Sequence, residues 1–233
     1  MNKKKILSLA LVVLLIATIS FGTLAWFNAS AEVVNKFYVA SSDGEGTAPD
    51  FSISILEKVL GEENYAPEGN EYKDILPGDE LSKSIKITND GLYEQWVRIH
   101  VTFSDSETWQ KAIAKAAADA EIGFEEFVIA HMISPCDRDA LSNTVDVSYN
   151  AFGPDTMTFT FYIRNPLESE ETFHFMETFT IPGILEQEDM DFGSQGFTLT
   201  VKAEAVQVAN LDATDAKKAF ELVGWNIGSE YGV

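Results

Sequence analysis

Strict alternation of apolar and polar residues recurs along most of this chain and restricts it to a fold built from half-buried strands. Val97, Ile99, Val101 and Phe103 alternate with Trp96, Arg98, His100 and Thr102. Met157, Phe159, Phe161 and Ile163 alternate with Thr158, Thr160, Tyr162 and Arg164, and Phe197, Leu199, Val201 and Ala203 alternate with Thr198, Thr200, Lys202 and Glu204. A period of two puts each apolar set on one face of a strand. Further strands are expected over residues 51–58, 81–88, 127–133, 144–149 and 172–180. Pro77-Gly78-Asp79, Asn89-Asp90-Gly91, Phe152-Gly153-Pro154-Asp155 and Ile181-Pro182-Gly183 supply the turn chemistry between them. Seven or eight short strands separated in this way predict an all-β, two-sheet sandwich.

Two segments break the alternation. Ser104-Asp105-Ser106-Glu107 has the form of a capping box, and residues 108–121 are rich in Ala and Lys, with Trp109, Ile113 and Ala116 or Ala117 spaced for one apolar face. A helix inserted between strands is expected there. Residues 212–223 read as a short C-terminal amphipathic helix, with Ala216, Ala219, Phe220 and Val223 on the face expected to dock on the sandwich.

The N-terminus carries export information. Lys3-Lys4-Lys5, an apolar run over residues 6–19 and a small-x-small site at Thr23-Leu24-Ala25 form a secretory signal peptide, too short for the ~20 residues of a membrane span. Cleavage is expected between Ala25 and Trp26; a second small-x-small site, Ala29-Ser30-Ala31, lies just beyond. The resulting plan is a signal peptide over 1–25, an N-terminal arm over 26–40, a β-sandwich domain over 41–209 and a C-terminal helical segment over 210–233. Loss of the three leader lysines leaves 13 basic against 37 acidic side chains, a net charge of −24. Such a surface repels nucleic acid and anionic lipid and attracts cations or basic partners. The lone Cys136 has no intramolecular disulfide partner.

Catalytic chemistry finds little support. His100, His131 and His174 are dispersed, and no His-Glu-x-x-His pair is present to hold a hydrolytic zinc ion. No base accompanies Cys136, and neither a nucleophile elbow nor a phosphate loop appears. No catalytic residue, metal ligand or cofactor is therefore assigned. Residues 186–191 and Asp43-Gly44-Glu45 offer oxygen donors of the kind calcium takes, but without EF-hand spacing, and read as solvated acidic loops.

The stretch Gly22-Thr23-Leu24-Ala25-Trp26-Phe27-Asn28, with Asn35-Lys36-Phe37 after it, resembles the export region of the TasA/camelysin family of Gram-positive bacteria. Leu76-Pro77-Gly78-Asp79, the strand ending in Asn89-Asp90-Gly91 and Trp96-Val97-Arg98-Ile99 are similar to further motifs of that family, as is the late strand over residues 197–207. Phe21 and Ala29 depart from its pattern. The resemblance implies a jelly roll, processing by a dedicated signal peptidase, and secretion to the cell surface or biofilm matrix. It also implies a structural role: a subunit that assembles with itself, and with other matrix proteins, into extracellular fibres. Strand addition supplies a physical route, with Trp26, Phe27, Val33, Phe37 and Val39 as the candidate donor residues. A camelysin-like metallopeptidase and a monomeric cell-surface binding module are the alternatives, and residues 32–40 serving as the first strand of their own sandwich is the plain counterpart to donation.

Overall fold

The computed structural model describes residues 28–33, 51–134, 145–152, 155–192, 196–209 and 211–224. In chain order the strands are β1 (Asn28–Val33), β2 (Ile53–Lys58), β3 (Tyr65–Ala66), β4 (Glu80–Asn89), β5 (Gln95–Ser104), β6 (Ile133–Ser134), β7 (Val145–Phe152), β8 (Thr156–Ile163), β9 (Thr172–Thr180) and β10 (Leu199–Gln207). Helices α1 (Ser106–Asp119), α2 (Phe124–Phe127) and α3 (Ala216–Leu222) accompany them. Sheet I has the order β1-β10-β5-β8-β7 and sheet II the order β3-β2-β4-β9-β6, with antiparallel pairing between neighbours. Among the described residues no helix is long and apolar enough to cross a membrane.

Most of the apolar sets read from the sequence are buried between the sheets, although β5 and β8 bury much of their other face as well. Val97, Ile99, Val101 and Phe103 of β5, Met157, Phe159 and Phe161 of β8, and Val201, Ala203 and Ala205 of β10 line the inner face of sheet I. Ile53, Ile55, Ile85, Ile87, Met176 and Phe179 come from sheet II and join the same cluster. Each fully buried side chain of this size contributes about 1.5–3 kcal/mol through removal of apolar surface from water, so the two-sheet arrangement follows from patterning alone.

Helix α1 closes one end of the sandwich. Trp109, Ala112, Ile113, Ala116 and Ala117 face the core, at the three- and four-residue spacing of a helix stripe. Its cap differs from the expected one: Ser104 ends β5, and Asp105, in the left-handed conformation, accepts from Thr108 N at 3.3 Å. Residues 127–133 also differ. Phe127 ends α2, a π-helical turn spans Val128–Met132, and only Ile133–Ser134 pair as strand. Phe127, Val128 and Met132 are buried together at helical spacing, so a continuous apolar run that suits a strand equally well is claimed by a helix.

The two Pro-Gly turns meet at one end of sheet II. Pro77-Gly78 makes a tight turn in which Asp79 N donates to Leu76 O at 3.1 Å, and Gly78 takes φ of 90°. A Cβ on Gly183 would lie 3.5 Å from the Gly78 Cα, and Gly78 N donates to Ile181 O at 3.0 Å. Backbone passes against backbone here. Asn89 organises the opposite end: its buried amide donates to the carbonyls of Tyr93, Leu167 and Glu168 and accepts from Gly91 N and Gln95 Nε2. The Asn-x-Gly motif thus fastens the β4–β5 turn to the segment that precedes β9.

Candidate assembly site at the edge of sheet I

Strand β1 forms one border of sheet I and is joined to it through β10, in a register running from Asn28 opposite Val206 to Val33 opposite Val201. Asn, Ala, Ser and Glu dominate β1, and none of them is a strong strand former. Its position rests on the backbone ladder of β10. That ladder has reason to be filled, because β10 is a core strand whose Val201, Ala203 and Ala205 are wholly buried, and an open edge beside it is a template for any extended segment. Across the sandwich β2 packs against both β1 and β10.

Val33 is the one expected donor residue within the described residues, at the end of β1. Ala25, Trp26, Phe27, Phe37 and Val39 lie outside them, as do Asp43, Glu45 and Cys136. The second small-x-small site, Ala29-Ser30-Ala31, falls inside β1, so cleavage there would remove most of this strand. If the leader is removed as the sequence leads one to expect, the intact mass of the processed chain will match a start at Trp26. A chain beginning at Glu32 would lack Asn28 to Ala31 and overturn the assignment of β1 to the mature fold.

On the outer face of sheet I, beside β1, β10 and β5 carry a compact charged cluster. Arg98 donates through Nε and Nη2 to Glu204 Oε2, each at 2.6 Å, and Lys202 Nζ lies 2.8 Å from Oε1. His100 Nε2 lies 3.1 Å from Oε2, and its Nδ1 lies 3.0 Å from Thr160 Oγ1 on β8. Burial works against the Glu204 charge, but the hydrogen bond and charge of His100, the Arg98 guanidinium and the Lys202 hydrogen bond together hold its carboxyl well below the usual carboxylate range. Arg98 also stacks 4.4 Å over the Phe220 ring of α3. That helix is capped by Asp215, which accepts from Lys218 N at 2.8 Å, and it buries Ala216, Ala219 and Phe220 against Trp96, Tyr162 and Val206.

Thr160, His100 and Glu204 follow one another in the order of a hydroxyl, base and carboxylate relay. Their setting opposes that use. Thr160 is buried in the middle of β8, and the Glu204 charge is already taken by Arg98 and Lys202. The cluster acts as a brace across β8, β5 and β10, and so stiffens the strand against which β1 pairs.

The three histidines stand on different elements: His100 on sheet I, His174 exposed on β9 opposite Lys86, and His131 in the π-helical turn, stacked 5.1 Å from Phe127. Among the described residues no group of three or more His, Cys, Asp or Glu is placed to hold a metal ion. The acidic loop forms a short 3₁₀ turn, Gln187–Met190, in which Asp189 accepts from Glu186 N and pairs with Lys115 of α1 at 2.5 Å. The Lys115 hydrogen bond lowers the Asp189 pKa, with help from that of Glu186 N. Sequence reasoning missed the role of Glu204. The available signal was a carboxylate on the polar face of one strand and two basic residues, Arg98 and His100, on the polar face of another.

Against known proteins, no family model, no curated protein and no solved structure matches this chain.

Proposed function

We propose that the chain is an exported structural subunit of a Gram-positive cell surface or biofilm matrix, of jelly-roll type, that assembles with itself into fibres by strand addition. The observation that carries this reading is the position of β1: a border strand joined to its sheet by one ladder and connected to β2 through residues 34–52. The backbone bonds that hold β1 beside β10 are the same whether β1 comes from its own chain or from the next. Filling the edge in cis gives a monomer. Filling it in trans, head to tail, gives a contact that does not close and therefore propagates.

Charge sets the conditions. Subunits of net charge −24 repel one another, so salt, acid or divalent cations promote elongation by screening or neutralising carboxylates. The test is light scattering and electron microscopy of the mature chain and of a chain lacking residues 26–40, from neutral to mildly acidic pH. The mature chain is expected to form fibres, and the truncated chain is expected to remain folded and fail to elongate. An excess of a synthetic peptide of residues 26–40 is expected to cap growth. Fibres from the truncated chain would rule out the mechanism.

A further inference from the structure

A second polar cluster lies inside the other sheet. Glu57 shares the core-facing side of β2 with Ile53 and Ile55 and is fully buried. A bulge in β4 between Ser82 and Ile85 accompanies the burial of Lys83, whose Nζ donates to Glu57 Oε2 at 2.7 Å. Asn70, from the segment after β3, donates Nδ2 to the other oxygen, Oε1, also at 2.7 Å, and to Lys58 O at 2.8 Å. Its Oδ1 accepts from Leu60 N at 2.9 Å. Tyr72 places its hydroxyl between Glu57 and Ser82 O, and burial together with the Glu57 charge raises its pKa.

One buried carboxylate therefore grips an amine and a carboxamide, one on each oxygen, while a backbone N–H polarises the carboxamide carbonyl. We propose that Lys83 and Asn70 form an intramolecular isopeptide bond, with Glu57 as the proton carrier. Nζ first yields a proton to Oε2, which removes two buried charges. The free amine attacks Cγ of Asn70, and Leu60 N–H receives the charge that develops on Oδ1, in the manner of an oxyanion donor. As the Cγ–Nδ2 bond breaks, Glu57 gives its proton to Nδ2 and takes one from Nζ. An Nζ–Cγ amide forms, ammonia departs, and Glu57 remains as a neutral acid. No oxidant or other co-reactant is needed. The product ties the segment after β3 to β4 by a covalent link that resists pulling and heat.

Mass spectrometry of the full mature chain tests this. The intact protein is expected to be lighter than its sequence by one ammonia, and proteolysis is expected to yield a branched peptide joining residue 70 to residue 83. Lys83→Arg, Asn70→Ala and Glu57→Gln are each expected to restore the full sequence mass in folded protein. Should Glu57→Gln fail to fold, the Lys83→Arg chain carries the test. A wild-type chain at full mass after prolonged incubation overturns the proposal. So does ammonia loss that persists in Lys83→Arg, which would be cyclisation of Asn70 on its own backbone. A branched peptide surviving in folded Glu57→Gln would overturn the part assigned to Glu57.

Discussion

Glu204→Ala is expected to destabilise the fold by about 3–5 kcal/mol, the usual cost of removing one partner from a buried ion pair. The cost arises because Arg98, almost wholly covered by Phe220 and its strand neighbours, keeps its charge and loses the oxygen that both Nε and Nη2 address. Lys202 and His100 are left facing Arg98 without the carboxylate that separates them. The effect depends on pH with a definite sign. A carboxyl whose folded pKa is depressed stabilises the fold fully above its unfolded value, about 4.3 for Glu, and that contribution disappears as the pH falls toward the folded value. Denaturant melts of wild type and Glu204→Ala are therefore expected to differ most near neutral pH and to converge in acid. A difference that is small at neutral pH, or that grows on acidification, would contradict the role given to the cluster.

Trp109→Ala is expected to cost a similar amount, about 3–5 kcal/mol. Trp109 is wholly buried where α1 closes the sandwich, with ring centroids 5.4 Å from Phe103, 4.9 Å from Phe192 and 4.9 Å from Phe197. Truncation leaves a cavity among rings that belong to three different segments, which limits how far they can close on it. Trp109→Phe is a useful contrast. Among the described residues the indole Nε1 has no hydrogen-bond partner, so the smaller ring discards a polar group that burial penalises and leaves a smaller cavity, and the loss is expected to be well below that of Trp109→Ala. Thermal or urea unfolding of the two variants checks the ordering, and equal losses would refute the cavity account.

The sandwich was legible in the sequence because the residues of each long strand alternate in polarity, and parity alone then assigns Val97, Phe159 or Val201 to the core; that Arg98, Thr160, Tyr162 and Glu204 on the other face are buried as well was not legible from that alternation. The elements that were misread are those where packing decides between equal local choices. Residues 127–133 form an apolar run that suits strand or helix, and the core takes Phe127, Val128 and Met132 at helical spacing. Of the strand expected over residues 32–40, only Glu32 and Val33 fall within the described residues, at the end of β1, where pairing with β10 holds residues of weak strand preference. Both polar clusters stayed hidden for a different reason. Arg98 and Glu204 are more than a hundred positions apart and meet through the β5–β10 register, while Lys83 sits in a Ser-Lys-Ser stretch that reads as solvent-facing until the β4 bulge is known.

In the proposed fibre the edge position beside β10 is filled by the β1 of another molecule, and a cysteine placed on each of two separate chains reads this directly. Glu32 and Lys202 are register partners, and paired positions on antiparallel strands lie within the ~4.4–6.8 Å Cα range that a disulfide spans. With Cys136→Ser in both chains, one chain carries Glu32→Cys and the other Lys202→Cys. Oxidising fibres grown from the mixture is expected to link the two chains covalently, and oxidising the unassembled mixture is expected not to. Fibres that form yet give no link between the two chains, while a chain carrying both cysteines closes on itself within the fibre, would contradict it.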